Sequence, residues 1–164
     1  MDWLDMHSSS FEVKVRAFSD SDLNRILEIE RLSFPDPWPR LEFQYLSRLP
    51  QAVFLVAEVD GLPVGYIVAE NCSLTRRGSG RILNLAVHPW FRRRGVASRL
   101  LREAEAMLRV REIWLEVRRS NNTAIDFYLK HGFKPVGILP KYYGDEDAVR
   151  MVKKSLTSNP KRSG

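Results

Sequence analysis

Residues 87 to 101 read VHPWFRRRGVASRLL: three arginines in a row, a glycine, then apolar residues at helical spacing. Such a turn at the start of a helix can bind an anion. The first amides of a helix have no intrahelical partner and lie at the positive end of its dipole. Several N–H groups can therefore converge on one phosphate. Gly95 lets a ligand approach the backbone closely, and Ala97 keeps a neighbouring position small. The Gly-Lys-Ser/Thr ending of a Walker loop is absent. The same residues also suit a basic patch for nucleic acid or an ordinary solvated turn, and the stretch alone leaves the three open.

Two further side chains could do proton chemistry. In IWLEV, residues 113 to 117, Ile113, Leu115 and Val117 share one side of a strand, and Trp114 and Glu116 the other. A carboxylate in a mostly apolar strand can serve as a general base, directly or through water. It can equally be an edge glutamate paired with Arg118, two residues on and on the same face. Tyr128 follows Ala124, Ile125 and Phe127. It can hand over a phenolic proton, or be a core aromatic with its hydroxyl satisfied. Asn121 is placed to cap that helix and Gly132 to stop it. His88 reads as a strand-end histidine, His131 suits the negative end of a helix dipole, and Cys72 reads as a packing residue.

These groups need elements to hold them. FEVKVRAF, residues 11 to 18, alternates as a strand, with Phe11, Val13, Val15 and Ala17 on one side. SDSDLNRILEIERLS follows with cap candidates and Leu23, Ile26 and Leu27 at helical spacing. FPDPWP breaks that helix, because proline removes a donor and disfavours helical geometry before it. RLEFQYLSRL reads as a second short helix. Residues 52 to 74 read as two strands turning at Asp60–Gly61. RILNLAV is a strand, and from Val96 the apolar residues 100, 101, 104 and 108 form one helical stripe. EIWLEV is a strand, NNTAIDFYLKHG a helix, and residues 133–139 and 147–155 two final strands. The expected fold is α/β: one central mixed sheet of about seven strands, with about four helices covering both faces.

The chain has 164 residues, 44% hydrophobic and 28% charged, which bounds it to about one folded domain with a real core. The net charge of +6 favours anionic partners without choosing among them. No apolar run is long enough to span a bilayer. MDWLDMHSSS lacks the positive start and apolar centre of a secretory signal. A single cysteine permits no internal disulfide. A cytoplasmic location is expected. Residues 1–10 read as a flexible leader, 11–156 as one domain, and 157–164 as a disordered basic tail.

RRRGVA, residues 92 to 97, resembles the Arg/Gln-x-x-Gly-x-Gly/Ala signature of the GNAT superfamily of N-acetyltransferases. LEVRRSNNTAIDFYLKHGF, residues 115 to 133, closely resembles the LEVRxSNxxAixlYxxxGF segment of its protein N-terminal acetyltransferases. Within these it is most similar to the ribosomal-protein alanine acetyltransferase (RimI) group and its archaeal relatives. SFPDPWP and KYYGDEDAVRM resemble that group's substrate loop and late hairpin, so the resemblance runs over roughly residues 12 to 156. It implies the GNAT fold, acetyl-coenzyme A as cosubstrate, no metal, and direct attack by an amine in a ternary complex. Glu116 falls on the family's catalytic base and Tyr128 on its acid. Leu85, Ala86 and Val87 fall on the strand that pairs with the pantetheine arm. Arg92, Arg93, Arg94, Gly95, Val96, Ala97 and Ser98 fall on the pyrophosphate loop, and Asn121 on a cofactor contact. Phe34, Pro35, Tyr142 and Tyr143 fall on the walls of the slot for a peptide N-terminus. Asp36 is a further substrate candidate, able to meet an ammonium.

The partners implied are protein or peptide N-termini, ribosomal or ribosome-associated proteins among them, with no membrane and with nucleic acid not as substrate. Two alternatives stay beside this reading. One keeps the fold but acetylates lysine or a small amine, since fold does not settle substrate. The other is a nucleic-acid-binding module using Arg76–Arg77, Arg92–Arg94 and Arg118–Arg119, although no nucleic-acid motif accompanies them.

Overall fold

The computed structural model describes residues 11–155. The expected leader and tail lie outside the described residues. Along the chain run β1 (Lys14–Ala17), α1 (Leu23–Ser33), α2 (Arg40–Ser47), β2 (Ala52–Val59), β3 (Leu62–Asn71), β4 (Ser79–Val87), α3 (Val96–Leu108), β5 (Glu112–Arg118), α4 (Asn122–Lys130), β6 (Lys134–Leu139) and β7 (Ala148–Lys154). This is the order read from the periodicities. Two 3-10 turns, Asp20–Asp22 and Pro89–Phe91, are additional. β1 is shorter than the alternation suggested, although Phe11 and Val13 still pack on the core. Asp60 and Gly61, with φ of 49° and 78°, make the tight turn between β2 and β3. Positive φ at both central residues matches the twist of the strands it joins.

The strands form one seven-stranded sheet in the order β1-β2-β3-β4-β5-β7-β6. All neighbours are antiparallel except β4 and β5, which run parallel. α3 buries Leu100, Leu101, Ala104 and Leu108 on one face of the sheet, against Leu55, Ile67, Ile113 and Leu115. α4 adds Tyr128 to that layer. α1 and α2 bury Ile26, Ile29, Phe43 and Leu46 on the other face, against Phe54, Val56, Tyr66 and Val68. Each such large apolar side chain contributes about 1.5–3 kcal/mol when fully buried, so both layers hold the sheet rigidly.

Two irregularities of β4 shape the site. Val68 pairs with Asn84 but Ala69 with Ile82, so Leu83 is an extra residue, a β-bulge. Leu83 and Asn84 consequently both face α1. In addition, β4 and β5 pair only at Ser79↔Glu112, Gly80↔Ile113 and Arg81↔Trp114. Beyond Arg81 the two strands are not paired with each other, leaving a cleft in the middle of the sheet.

Candidate active site

The cleft is lined on one side by Leu85, Ala86 and Val87, which pair with Ile67, Tyr66 and Gly65 of β3 on their other edge. At its mouth the chain turns through Pro89–Phe91 and the three arginines into α3. Arg93 and Gly95 are both left-handed, with φ of 59° and 79°. A Cβ built on Gly95 meets nothing within 4 Å, so the space above this turn is open. Gly95 is the N-cap of α3, and the amides from Val96 onward start the helix without intrahelical partners. Val96 is buried, while Ala97 packs on the core, so these two contribute backbone rather than side chain to the turn.

The three arginines are used differently. Arg92 donates from Nε to the Val87 carbonyl at 2.8 Å and from Nη2 to Ser33 Oγ at 3.1 Å, tying the end of α1 to the end of β4. Its guanidinium is thus engaged within the chain. Arg94 lies over the Phe11 ring, 5.0 Å from the centroid. Ser98 Oγ is 2.8 Å from His131 Nε2, and His131 Nδ1 is 2.7 Å from the Phe127 carbonyl. The helix-end histidine therefore locks α4 to the start of α3. Asn121 caps α4, its Oδ1 accepting from the Ala124 N–H at 3.1 Å.

Glu116 lies on the opposite face of β5 from the α3 layer, with its side chain only 4% exposed. Arg81 of β4 donates to Oε2 through Nε (3.1 Å) and Nη2 (2.9 Å). Arg150 of β7 donates to Oε1 through Nε (3.1 Å) and Nη2 (2.8 Å). The neighbour Arg118, the partner suggested by sequence proximity, points elsewhere. With four donors, the lone-pair sites of the carboxylate are filled. Arg81 Nη2 also donates to the Tyr142 hydroxyl at 2.8 Å.

Tyr142 and Tyr143 meet edge to face with centroids 5.0 Å apart. Burial pushes the Tyr143 phenol up to about 12, with Tyr142 and Glu116 adding to the rise. Burial, and next Tyr143, also raises Tyr128, whose ring sits between Phe127 and Phe133 at 5.2 and 5.4 Å. Its phenol stays protonated at neutral pH. Phe34 ends α1 and packs on the α1/α2 core, whereas Pro35 and Asp36 are exposed. Asp36 faces Arg118, its Oδ2 2.6 Å from Nη2.

The sequence reading missed a buried acid on α1. Glu30 is 1% exposed. Its carboxylate accepts from the Trp38 N–H at 2.9 Å, from Asn84 Nδ2 at 3.2 and 3.0 Å, and from the Tyr66 hydroxyl. It fixes the α1–α2 loop to the bulge of β4. The available signal was its position: Glu30 falls four residues after Ile26 and three after Leu27, on the core stripe of α1. Burial raises its pKa despite those donors. A carboxyl raised in the folded state favours folding fully at low pH, and that contribution is lost as pH climbs through the folded pKa. Replacing Glu30 by Gln removes this dependence. Relative to the parent, Glu30→Gln is expected to gain stability in urea melts as pH rises above the ordinary glutamate pKa of about 4.3. Parallel pH slopes for the two proteins would contradict the assignment.

Cys72, just past β3, has its thiol pushed up to about 11 by burial, with the Glu70 charge adding, which leaves it a poor nucleophile. Among the described residues no helix is long and apolar enough to cross a membrane.

The sequence and the fold both have counterparts among known proteins. Residues 23–133 match the acetyltransferase (GNAT) family. The N-alpha-acetyltransferase of Sulfurisphaera tokodaii is 37% identical over 155 residues, covering 85% of this chain and 92% of that protein. The N-alpha-acetyltransferase RimI of Mycobacterium tuberculosis is 31% identical over 140 residues, covering 84% and 89%. The crystal structure of Ard1 from Thermoplasma volcanium superposes with a TM-score of 0.81 at 33% identity, covering 88% of this chain and 98% of that one. The chain belongs to the GNAT family of acetyltransferases and is an acyltransferase with the mixed seven-stranded GNAT fold.

Proposed function

We propose that this acetyltransferase moves the acetyl group of acetyl-coenzyme A onto the free α-amine of a protein N-terminus. The carrying observation is the break in pairing after Arg81↔Trp114, which opens the sheet between the helix-terminal turn and the buried Glu116. The two relatives described as N-alpha-acetyltransferases support the choice of acceptor.

The turn fits a pyrophosphate. Its open left-handed glycine and unpaired helix amides offer donors to an anion. Gly95, Val96, Ala97 and Ser98 would hold it by backbone, with Arg93 and Arg94 adding charge and Arg92 bracing the turn from behind. Leu85, Ala86 and Val87 would take the pantetheine arm along the open edge of β4, and Asn121 would contact it from the cap of α4. When bound, acetyl-coenzyme A supplies an activated thioester.

The chain's own groups then manage protons. An ammonium has no lone pair for attack, so it must lose a proton. Glu116 accepts it through a water, which takes a lone-pair site when one guanidinium N–H of the part-exposed Arg81 or Arg150 turns to solvent. Tyr128, neutral because burial raises it, gives its proton to the departing sulfur. Phe34, Pro35, Tyr142 and Tyr143 wall the acceptor slot. An α-amine, with a reference pKa of about 7.7–8.0, asks less of the base than lysine at about 10.4. New N-termini emerge at the ribosome, so ribosomal and ribosome-associated proteins in the cytoplasm are the acceptors proposed.

The nucleic-acid reading is weakened at three of its arginines, which are paired with carboxylates. Arg76 pairs with Glu112 at 2.7 Å, Arg118 with Asp36 at 2.6 Å and Arg119 with Asp147 at 3.5 Å. The acceptor is tested with two peptides and mass spectrometry. A lysine-free peptide with a free N-terminus is expected to gain one acetyl group. A peptide with a blocked N-terminus and one lysine is expected to gain none; the reverse would move the activity to lysine.

A further inference from the structure

Arg118, the last residue of β5, makes more ionic contacts than any other side chain around the slot, and neither proton transfer nor cofactor binding uses it. Its Nη2 donates to Asp36 Oδ2 at 2.6 Å, in the loop between α1 and α2. Its Nη1 donates to Asp145 Oδ1 at 3.1 Å and Glu146 Oε1 at 3.4 Å, in the loop between β6 and β7. The guanidinium lies 4.5 Å from the centroid of the Tyr143 ring. One planar fork therefore joins both loops that carry the proposed slot walls, Phe34 and Pro35 on one side and Tyr142 and Tyr143 on the other. The side chain of Arg118 is 18% exposed, against 77% for Asp36 and 74% for Asp145. The cation is held by the strand and the ring, and the carboxylates come to it from the two loops.

We propose that Arg118 is a positioning residue that sets the width of the peptide slot by latching the α1–α2 loop, through Asp36, to the β6–β7 loop. This rests on the reading of the slot as the peptide site. Arginine suits the task because its fork can serve carboxylates on two edges while its face stacks on an aromatic ring. Lysine offers the charge without the fork. Asp36 is thereby assigned to the latch, in place of the direct contact with the substrate ammonium suggested by its sequence context. Because the latch lies among the walls and not in the cofactor cleft, loosening it weakens peptide capture and leaves acetyl-coenzyme A binding alone.

The test compares Arg118→Gln, Arg118→Lys, Asp36→Asn and the Asp36→Asn/Arg118→Gln double variant with the parent. Kinetics uses a lysine-free peptide with a free N-terminus. Asp36→Asn, an exposed change, is expected to raise peptide KM about 3-fold, in keeping with one solvent-exposed ion pair. Arg118→Gln, which frees three carboxylates, is expected to raise it about 10-fold. Arg118→Lys should recover only part of that, and the double variant should be no worse than Arg118→Gln alone. In every case kcat and the dissociation constant of acetyl-coenzyme A should stay within about 2-fold of the parent. Amide hydrogen exchange gives a readout independent of acceptor identity. Arg118→Gln should speed exchange at residues 34–39 and 141–147 together, and Asp36→Asn at 34–39 alone. Unchanged peptide KM in Arg118→Gln and Asp36→Asn, with parental exchange in both loops, overturns the latch. If the parent acetylates no α-amine while exchange still responds in both loops, the latch stands and the acceptor assignment fails.

Discussion

Glu116→Gln is expected to slow acetyl transfer by about 10²- to 10⁴-fold, the usual effect of losing a positioned proton acceptor, with acetyl-coenzyme A bound as tightly as before. The environment of the residue sharpens this. In the parent, two guanidiniums converge on one buried anion. Glutamine keeps a single acceptor oxygen and turns an N–H₂ toward one arginine, setting donor against donor. Breaking a buried ion pair costs about 3–5 kcal/mol, but Arg81 and Arg150 are 28% and 40% exposed and can turn to water. A loss of about 1–3 kcal/mol in unfolding free energy is therefore expected alongside the kinetic effect. The two effects separate experimentally. Thermal melts report the first, and single-turnover rates across pH, taken well below the melting temperature, report the second. A folded variant with the parent's rate at every pH would remove Glu116 from proton transfer and leave it as the anchor of Arg81 and Arg150.

Gly95→Asp is expected to weaken acetyl-coenzyme A binding by about 10- to 100-fold in a calorimetric titration. Two like charges about 4 Å apart repel by roughly 1 kcal/mol in water and about 4 kcal/mol near a protein surface, and about 1.4 kcal/mol corresponds to tenfold. The backbone adds a smaller cost. Gly95 has φ of 79°, where a side chain costs roughly 1–2 kcal/mol, least for Asp and Asn. No clash contributes, since an added Cβ meets nothing within 4 Å. Gly95→Asn carries the same backbone strain without the charge, so its loss should be clearly smaller. Parental affinity in Gly95→Asp would mean that the pyrophosphate is not held at this turn.

Much of this architecture could be read from local pattern. The order of strands and helices followed from apolar periodicity, and the Asn121 cap and Gly132 stop from residues that act on their immediate neighbours. The face of Glu116 followed from the alternation of Ile113, Leu115 and Val117. What stayed hidden is non-local. The separation of β4 from β5 after Arg81↔Trp114 is a property of two strands whose connection includes all of α3, and neither strand carries a local mark of it. The bulge at Leu83 was also invisible, because Ile82, Leu83, Leu85, Ala86 and Val87 are apolar with no strict alternation, and only the register with β3 reveals the extra residue. Partner choice failed for the same reason. Arg118 is two residues from Glu116 in sequence, yet the partners are Arg81 and Arg150, about one strand spacing away on either side. Arg118 instead reaches outward to the loops. Glu30 could have been caught, because a glutamate on the apolar stripe of a helix needs donors to be buried.

The most direct measurement offers both kinds of amine to the protein on one molecule. A synthetic peptide with a free N-terminus and one internal lysine is incubated with the protein and acetyl-coenzyme A near neutral pH, and tandem mass spectrometry locates the acetyl group. Modification at the α-nitrogen, with the lysine left free until the N-terminus is consumed, is the result predicted. Acetyl on the lysine while the α-amine remains free would contradict the assignment.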